Sequence, residues 1–89
     1  MKTIMFVSDP GHGWALVLTS ELRALGIVDK ISRYSYLNGQ TAALEEDCDL
    51  GVYCEALRAA GIDYAFDEQY EENTAIRNWA SFDAGRVTP

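Results

Sequence analysis

Apolar positions along this chain switch between a period of two and a period near 3.6, and the switches mark its elements. Residues 3–8 are apolar on both faces, as an interior strand is. Asp9-Pro10-Gly11-His12-Gly13 breaks the run, since proline fixes φ and two glycines free the backbone, which predicts a turn. Trp14, Leu16 and Leu18 then alternate as in a strand, while Trp14, Val17, Leu18, Leu22 and Leu25 fit a helical stripe equally well. The preferred reading is a strand over 14–18. A short helix follows, capped by Thr19 or Ser20 and stopped at Gly26, a good left-handed C-cap residue.

The second half repeats the alternation. Residues 31–37 read as a strand with Tyr34 and Tyr36 on one face, and Asn38-Gly39 is a type I′ hairpin pair leading into a return strand over 40–45. A two-residue turn there sets Tyr36 opposite Thr41 and Tyr34 opposite Ala43, with Leu44 on the other face. Leu50, Tyr53, Cys54, Leu57 and Ala60 form one stripe of a helix over 49–60, with Glu55 and Arg58 placed to pair on its wet side. Gly61 ends that helix. Ile62, Tyr64 and Phe66 alternate with Asp63, Ala65 and Asp67 in a last strand that can run on to Tyr70. Ile76, Trp79 and Phe82, spaced by three, suit an extended tail or one helical turn docking on the body, and 83–89 reads as a frayed, flexible tail.

Glu21-Leu-Arg-Ala-Leu-Gly-Ile27 echoes Glu55-Ala-Leu-Arg-Ala-Ala-Gly-Ile62, one residue longer, and each follows a predicted hairpin. The expected fold is therefore α+β, in ββα-ββα-β order. A small, mostly antiparallel sheet of about five strands would carry two helices on one face, in a single domain over residues 1–82.

Composition narrows the function classes. At 89 residues, 48% hydrophobic and 24% charged, the chain is a globular domain and not a disordered one. No apolar run approaches the roughly 18 residues that cross a bilayer. Met1-Lys2 leads straight into strand residues without a signal-peptide segment, so the expected location is cytoplasmic. Residues 1–44 carry four basic against three acidic side chains, and residues 45–89 carry three basic against eleven acidic. An acidic half disfavours direct binding of nucleic acid, which depends on Lys and Arg density. It suits a partner with a basic surface.

Candidate chemistry centres on two stretches. Asp9-Pro-Gly-His-Gly resembles the opening motif of zinc-dependent N-acetylmuramoyl-L-alanine amidases, a resemblance that implies a zinc ligand at His12. The rest of that ligand set is missing, because a catalytic zinc needs about three protein ligands and this chain has one histidine. A thiol nucleophile fares no better. Cys48 and Cys54 lie about 240° apart on a helix and are expected as free thiols, Cys54 buried, Cys48 beside carboxylates that hold it protonated. Glu45-Glu46-Asp47-Cys48-Asp49 lacks the glycine and distal glutamate of a calcium loop, and it reads as acidic capping of the following helix. No catalytic residue, metal or cofactor is assigned.

The order and spacing of Asp9-Pro-Gly-His-Gly-Trp14, Leu25-Gly-Ile27, Ile31-Ser-Arg-Tyr-Ser-Tyr36, Leu44-Glu-Glu-Asp-Cys-Asp49, Gly61-Ile62 and Ile76-Arg77 resemble small uncharacterised bacteriophage-encoded proteins. The resemblance spans residues 3–82. Ala15 and Val17 stand where that group is more polar, and 83–89 extends past its usual end. It implies a phage accessory protein in the cytoplasm of a bacterial host. The expected function is non-enzymatic binding of a host protein with a basic surface, by a monomer or homodimer. Candidate contact residues are His12, Trp14 and Trp79 with the acidic run Glu45, Glu46, Asp47 and Asp49. The second acidic run, Asp67, Glu68, Glu71 and Glu72, completes the set. The alternatives are a metal-dependent hydrolase-like site around His12 and the acidic run, and a self-assembling structural module that pairs through an uncovered sheet edge or swaps the 76–82 tail.

Overall fold

The first strand, β1 (Lys2–Ser8), turns through Asp9–His12 into β2 (Gly13–Leu18), which runs directly into helix α1 (Thr19–Ala24). A hairpin of β3 (Tyr36–Asn38) and β4 (Thr41–Glu45) leads to α2 (Leu50–Ala59), then β5 (Tyr64–Tyr70), and finally the two-residue β6 (Ala80–Ser81). The computed structural model describes residues 1–87. The sheet order is β5-β1-β2-β4-β3-β6. The α+β class and the ββα-ββα-β order hold for the body of the chain. The sheet has six strands, not five, and it is mixed: β5 returns beside β1 in parallel. A chain that closes on its own first strand in the same direction needs the α2 crossover behind it.

Both helices end in the same way. After α1, the Gly26 N–H donates to Arg23 O and the Ile27 N–H to Leu22 O, each at 3.0 Å. After α2, Gly61 donates to Arg58 O at 3.0 Å and Ile62 to Leu57 O at 2.9 Å. Gly26 and Gly61 take φ of 71° and 72°. This pairing of bonds is the Schellman motif, in which a left-handed residue satisfies the last carbonyls. The echo between Leu-Arg-Ala-Leu-Gly-Ile and Leu-Arg-Ala-Ala-Gly-Ile is thus an echo of helix ends. The N-termini differ from expectation: the capping positions are Leu18 and Asp49, and neither side chain makes a capping bond.

Two further expectations are corrected. The hairpin turns at Gly39-Gln40, one residue later than expected, so Tyr36 faces Ala43 and Asn38 faces Thr41. Of the two turn residues only Gly39 has positive φ, at 61°, which is the Gly-X order of a type II′ turn, whereas a type I′ turn would need positive φ at Gln40 as well. The third strand also starts late. The Asp49 carboxylate accepts bonds from Ser32 N–H at 3.0 Å, Ser32 Oγ at 2.7 Å and Ser35 Oγ, which holds residues 31–35 as a loop and leaves Tyr34 exposed. Serine and aspartate bonding of this kind competes with a strand ladder. Arg58, expected to pair with Glu55, donates instead to Tyr64 Oη at 2.9 Å.

Side chains divide between the two faces of the sheet. Ile4, Ala15, Val17, Leu37, Ala42 and Leu44 meet Leu22 of α1 and Tyr53 and Leu57 of α2 in the main core. On the other face Val7, Trp14 and Ala43 are covered by Ile76, from a single 3-10 turn over Ala75–Asn78. The chain then rounds the β3 edge, pairs through β6, and sends Phe82 back into the main core. Ile76 and Phe82 thus dock on opposite faces. The segment expected to be a frayed tail carries a 3-10 turn at Ala84–Arg86 capped by Asp83, and Val87 packs against the core. Residues 88 and 89 of that segment lie outside the described residues.

Candidate functional site

The Asp9–Gly13 turn is built by the Asp9 carboxylate. Its Oδ1 accepts the N–H groups of Gly11 and His12, both at 2.9 Å, while the Asp9 N–H closes the turn on His12 O at 2.9 Å. Across the sheet end, Arg77 grips the same carboxylate with two donors, Nε to Oδ2 and Nη2 to Oδ1, the latter at 2.9 Å. The Arg77 guanidinium holds the Asp9 carboxyl well below the usual carboxylate range, and the pair raises Arg77 in return. Both glycines of the turn have local reasons. A Cβ on Gly13 would lie 2.4 Å from the Phe6 ring, and one on Gly11 would lie 3.0 Å from Arg77 Nη2. Within the Asp-Pro-Gly-His-Gly pattern, Asp9, Gly11 and Gly13 are accounted for by this ion pair, by the turn bonds and by packing.

Trp14, the first residue past the turn, is 1% exposed and organises the surrounding groups. Arg77 lies over its ring at 5.6 Å, Tyr36 meets it edge-on at 6.2 Å, and His12 is tilted against it at 6.0 Å. Its indole Nε1–H is buried with no partner among the described residues. Register places Trp14 opposite Glu45, the last residue of β4. The nearly buried Glu45 side chain accepts from Asp47 N–H at 3.1 Å and Cys48 N–H at 2.9 Å through Oε2, and its Oε1 stands 3.8 Å from His12 Nδ1. The sequence suggested helix capping for these acids. Glu45 instead caps the loop that precedes α2.

Between these groups lies an open cleft of about 300 Å³, lined by His12, Trp14, Tyr34, Tyr36, Glu45, Asp47, Cys48 and Arg77. Its chemistry is aromatic and acidic, and the one cation in its wall is already paired with Asp9. Hydrogen bonding to the Glu45 carboxylate, with burial and the neighbouring acids, pushes the Cys48 thiol up. A protonated thiol is a poor nucleophile. Among the described residues no group of three or more His, Cys, Asp or Glu side chains is placed to hold a metal ion. No described helix is long and apolar enough to cross a membrane.

Of the expected contact residues, the fold gathers His12, Trp14, Glu45 and Asp47 around the cleft. Glu46 is next to it, its N–H donating to Gly13 O at 3.0 Å. Asp49 is not a surface group: it is 2% exposed and its carboxylate is occupied by Ser32 and Ser35. Asp67 and Glu68 lie on β5, and Glu71 and Glu72 just beyond it, where the Glu71 N–H reaches Ser8 O at 2.9 Å. Trp79 packs half-buried against the Trp14 cluster and borders a second groove along the β3–β4 turn. Sequence reasoning missed Asp9, Arg77, Tyr34 and Tyr36 as members of the site. Arg77 carried one legible signal, a cation next to Ile76 in a segment otherwise marked by apolar spacing. Nothing local tied it to Asp9, 68 positions away.

No protein-family model, no curated protein and no solved structure matches the chain.

Proposed function

We propose that this is a small, non-enzymatic phage accessory protein that binds a bacterial host protein through its acidic surface. The observation that supports this reading is the cleft, where Glu45 and Asp47 stand among Tyr34, Tyr36 and His12. Carboxylates beside aromatic rings are the surroundings that hold a guanidinium or ammonium group, by charge and by cation–π contact together. The exposed Tyr34 supplies an aromatic wall that the fold does not need for its core. The acidic loop before α2 and the acidic run after β5 extend the negative surface on either side, and the reading therefore favours a nucleic-acid-binding groove or a defence protein as target. There the carboxylates take the place of phosphates.

The test is a fluorescence titration, using tryptophan emission, with hexa-arginine and with hexa-glutamate. Hexa-arginine is expected to bind and to weaken as salt rises, and the double variant Tyr34→Ala, Asp47→Asn is expected to lose at least tenfold in affinity. Glu55→Gln, a distant surface acid, leaves binding unchanged. Equal binding of both peptides, or no effect of the double variant, rejects the cleft as a cation site. Affinity capture from host lysate with graded salt washes then looks for a partner that the double variant fails to retain.

A further inference from the structure

We infer that the outer edge of β5 accepts a basic, extended segment of the partner as an added strand. This inference rests on the reading above, that the partner is basic, and adds how the partner is held. At the two ends of the parallel pair, the Lys2 N–H donates to Asp63 O and the Glu71 N–H to Ser8 O, both at 2.9 Å. In a parallel ladder only alternate residues bond to a given neighbour. With the register Ile4 to Phe66 and Phe6 to Glu68, the odd-numbered residues of β5 bond to β1. The N–H and C=O groups of Tyr64, Phe66, Glu68 and Tyr70 therefore face outward. Among the described residues no strand lies beyond them.

Seven residues of open edge are long for a sheet margin, and such an edge recruits another chain unless something prevents it. Here the deterrent is selective. Asp63, Asp67, Glu68, Glu71 and Glu72 lie along 63–72, with no Lys or Arg between them. A second copy laid on this edge would bring the same carboxylates face to face, and like charges across a strand pair are destabilising. A basic strand meets opposite charge at the same positions and gains the unused backbone bonds. Exposed Phe66 and Tyr70 offer it apolar contact on the helix side of the sheet. The opposite margin, β6, has only two residues and cannot serve equally.

The probe is a blocked eight-residue peptide of alternating Lys and Val, with a Glu and Val counterpart as control, added to the isotope-labelled full chain. Amide exchange at Tyr64, Phe66, Glu68 and Tyr70 is expected to slow at least tenfold with the basic peptide and to stay unchanged with the acidic one. Glu68→Pro removes an outward N–H that the fold does not use, a position where an edge strand tolerates proline, and is expected to lower affinity at least tenfold. Glu68→Gln separates the lost charge from the lost donor, and is expected to keep most of the binding. Unslowed exchange at those amides in the wild-type chain, or undiminished binding by a folded Glu68→Pro variant, overturns the inference. Slowing that grows with protein concentration and no peptide assigns the edge to a second copy and overturns it too. Hexa-arginine binding at the cleft reports separately: retained there while the β5 amides stay unslowed, it leaves the first reading standing and removes this one.

Discussion

The two faces of the sheet are closed by different means. Behind it, α1 and α2 lay Leu22, Tyr53 and Leu57 on a continuous apolar surface from β1, β2, β3 and β4. In front, one turn of 3-10 helix brings Ile76 over Val7, Trp14 and Ala43, and the segment is fastened at its margin by Arg77 on Asp9. Met5 and Leu18 stay exposed on that side. Burial of apolar area is non-directional, so the helix face is closed over β1 to β4 and leaves only the β5 margin, with Phe66 and Tyr70, exposed. An ion pair is directional and fixes one place, so the front face can be shut over Trp14 while an open cleft survives beside it. The larger apolar core sits behind the sheet, and the smaller Trp14 cluster with the proposed binding cleft sits in front.

Truncating the anchor of each face tests that division. Trp14→Ala is expected to cost about 3–5 kcal/mol and Leu57→Ala about 2–5 kcal/mol in chemical denaturation, both large fractions of the stability of a domain this size. The consequences differ. Folded Leu57→Ala should bind hexa-arginine as the native chain does, while Trp14→Ala should not, because its ring supports His12, Tyr36 and Arg77. A Trp14→Ala variant losing less than 1 kcal/mol would make the front face an ornament and break the comparison.

The next effect is local. Arg77→Gln and Asp9→Asn should each release the 75–78 turn without unfolding α2. The Trp79 amide, bonded to Ile76 O at 3.0 Å, should exchange at least tenfold faster, and the amides of α2 should not change. The pH dependence follows from the lowered Asp9 carboxyl. A carboxyl depressed in the folded state stabilises above its unfolded value, near 3.9, and loses that contribution as pH falls through the lower folded value. The stability gap between the native chain and Asp9→Asn should therefore be the same at pH 7 and pH 5, and should shrink only below about pH 4. A gap that shrinks between pH 7 and pH 5 would mean that the lowered Asp9 carboxyl is not what holds the turn.

The same division explains what the sequence disclosed. The rear face was legible because its causes are periodic: the stripe Tyr53, Cys54, Leu57 and the paired Gly-Ile helix ends are local patterns. Ala60, also assigned to that stripe, is exposed, because the helix has already ended there. The front face depends on contacts between distant positions. Asp9 with Arg77, and Asp49 with Ser32 and Ser35, leave no periodic trace. Asp49 was misread as a surface acid for that reason, and 31–35 as a strand. The β6 strand is too short for any period to reveal. His12, Trp14 and the acids of the 45–49 run were found as separate candidates, but only the pairing of β2 with β4 brings Trp14 against Glu45.

The smallest effects probe the helix ends, where the repeated hexapeptide makes its own comparison. Gly26 and Gly61 both have positive φ, and neither has an atom within 4 Å of an added Cβ. Substitution by alanine therefore meets no clash and pays only for the left-handed backbone, about 1 kcal/mol at each site. Asparagine, which tolerates that conformation, should recover part of it. Gly51 supplies the opposite sign. It lies in the first turn of α2 with open space around it and without positive φ, so Gly51→Ala should stabilise by about 0.5–1 kcal/mol. Thermal denaturation of the three alanine variants should give two losses of similar size and one gain, with hexa-arginine affinity unchanged in all. Unequal losses at Gly26 and Gly61 would show that the two helix ends share a sequence without sharing an energetic role. A change in cleft affinity from any of the three would show that the two faces of the sheet are coupled after all.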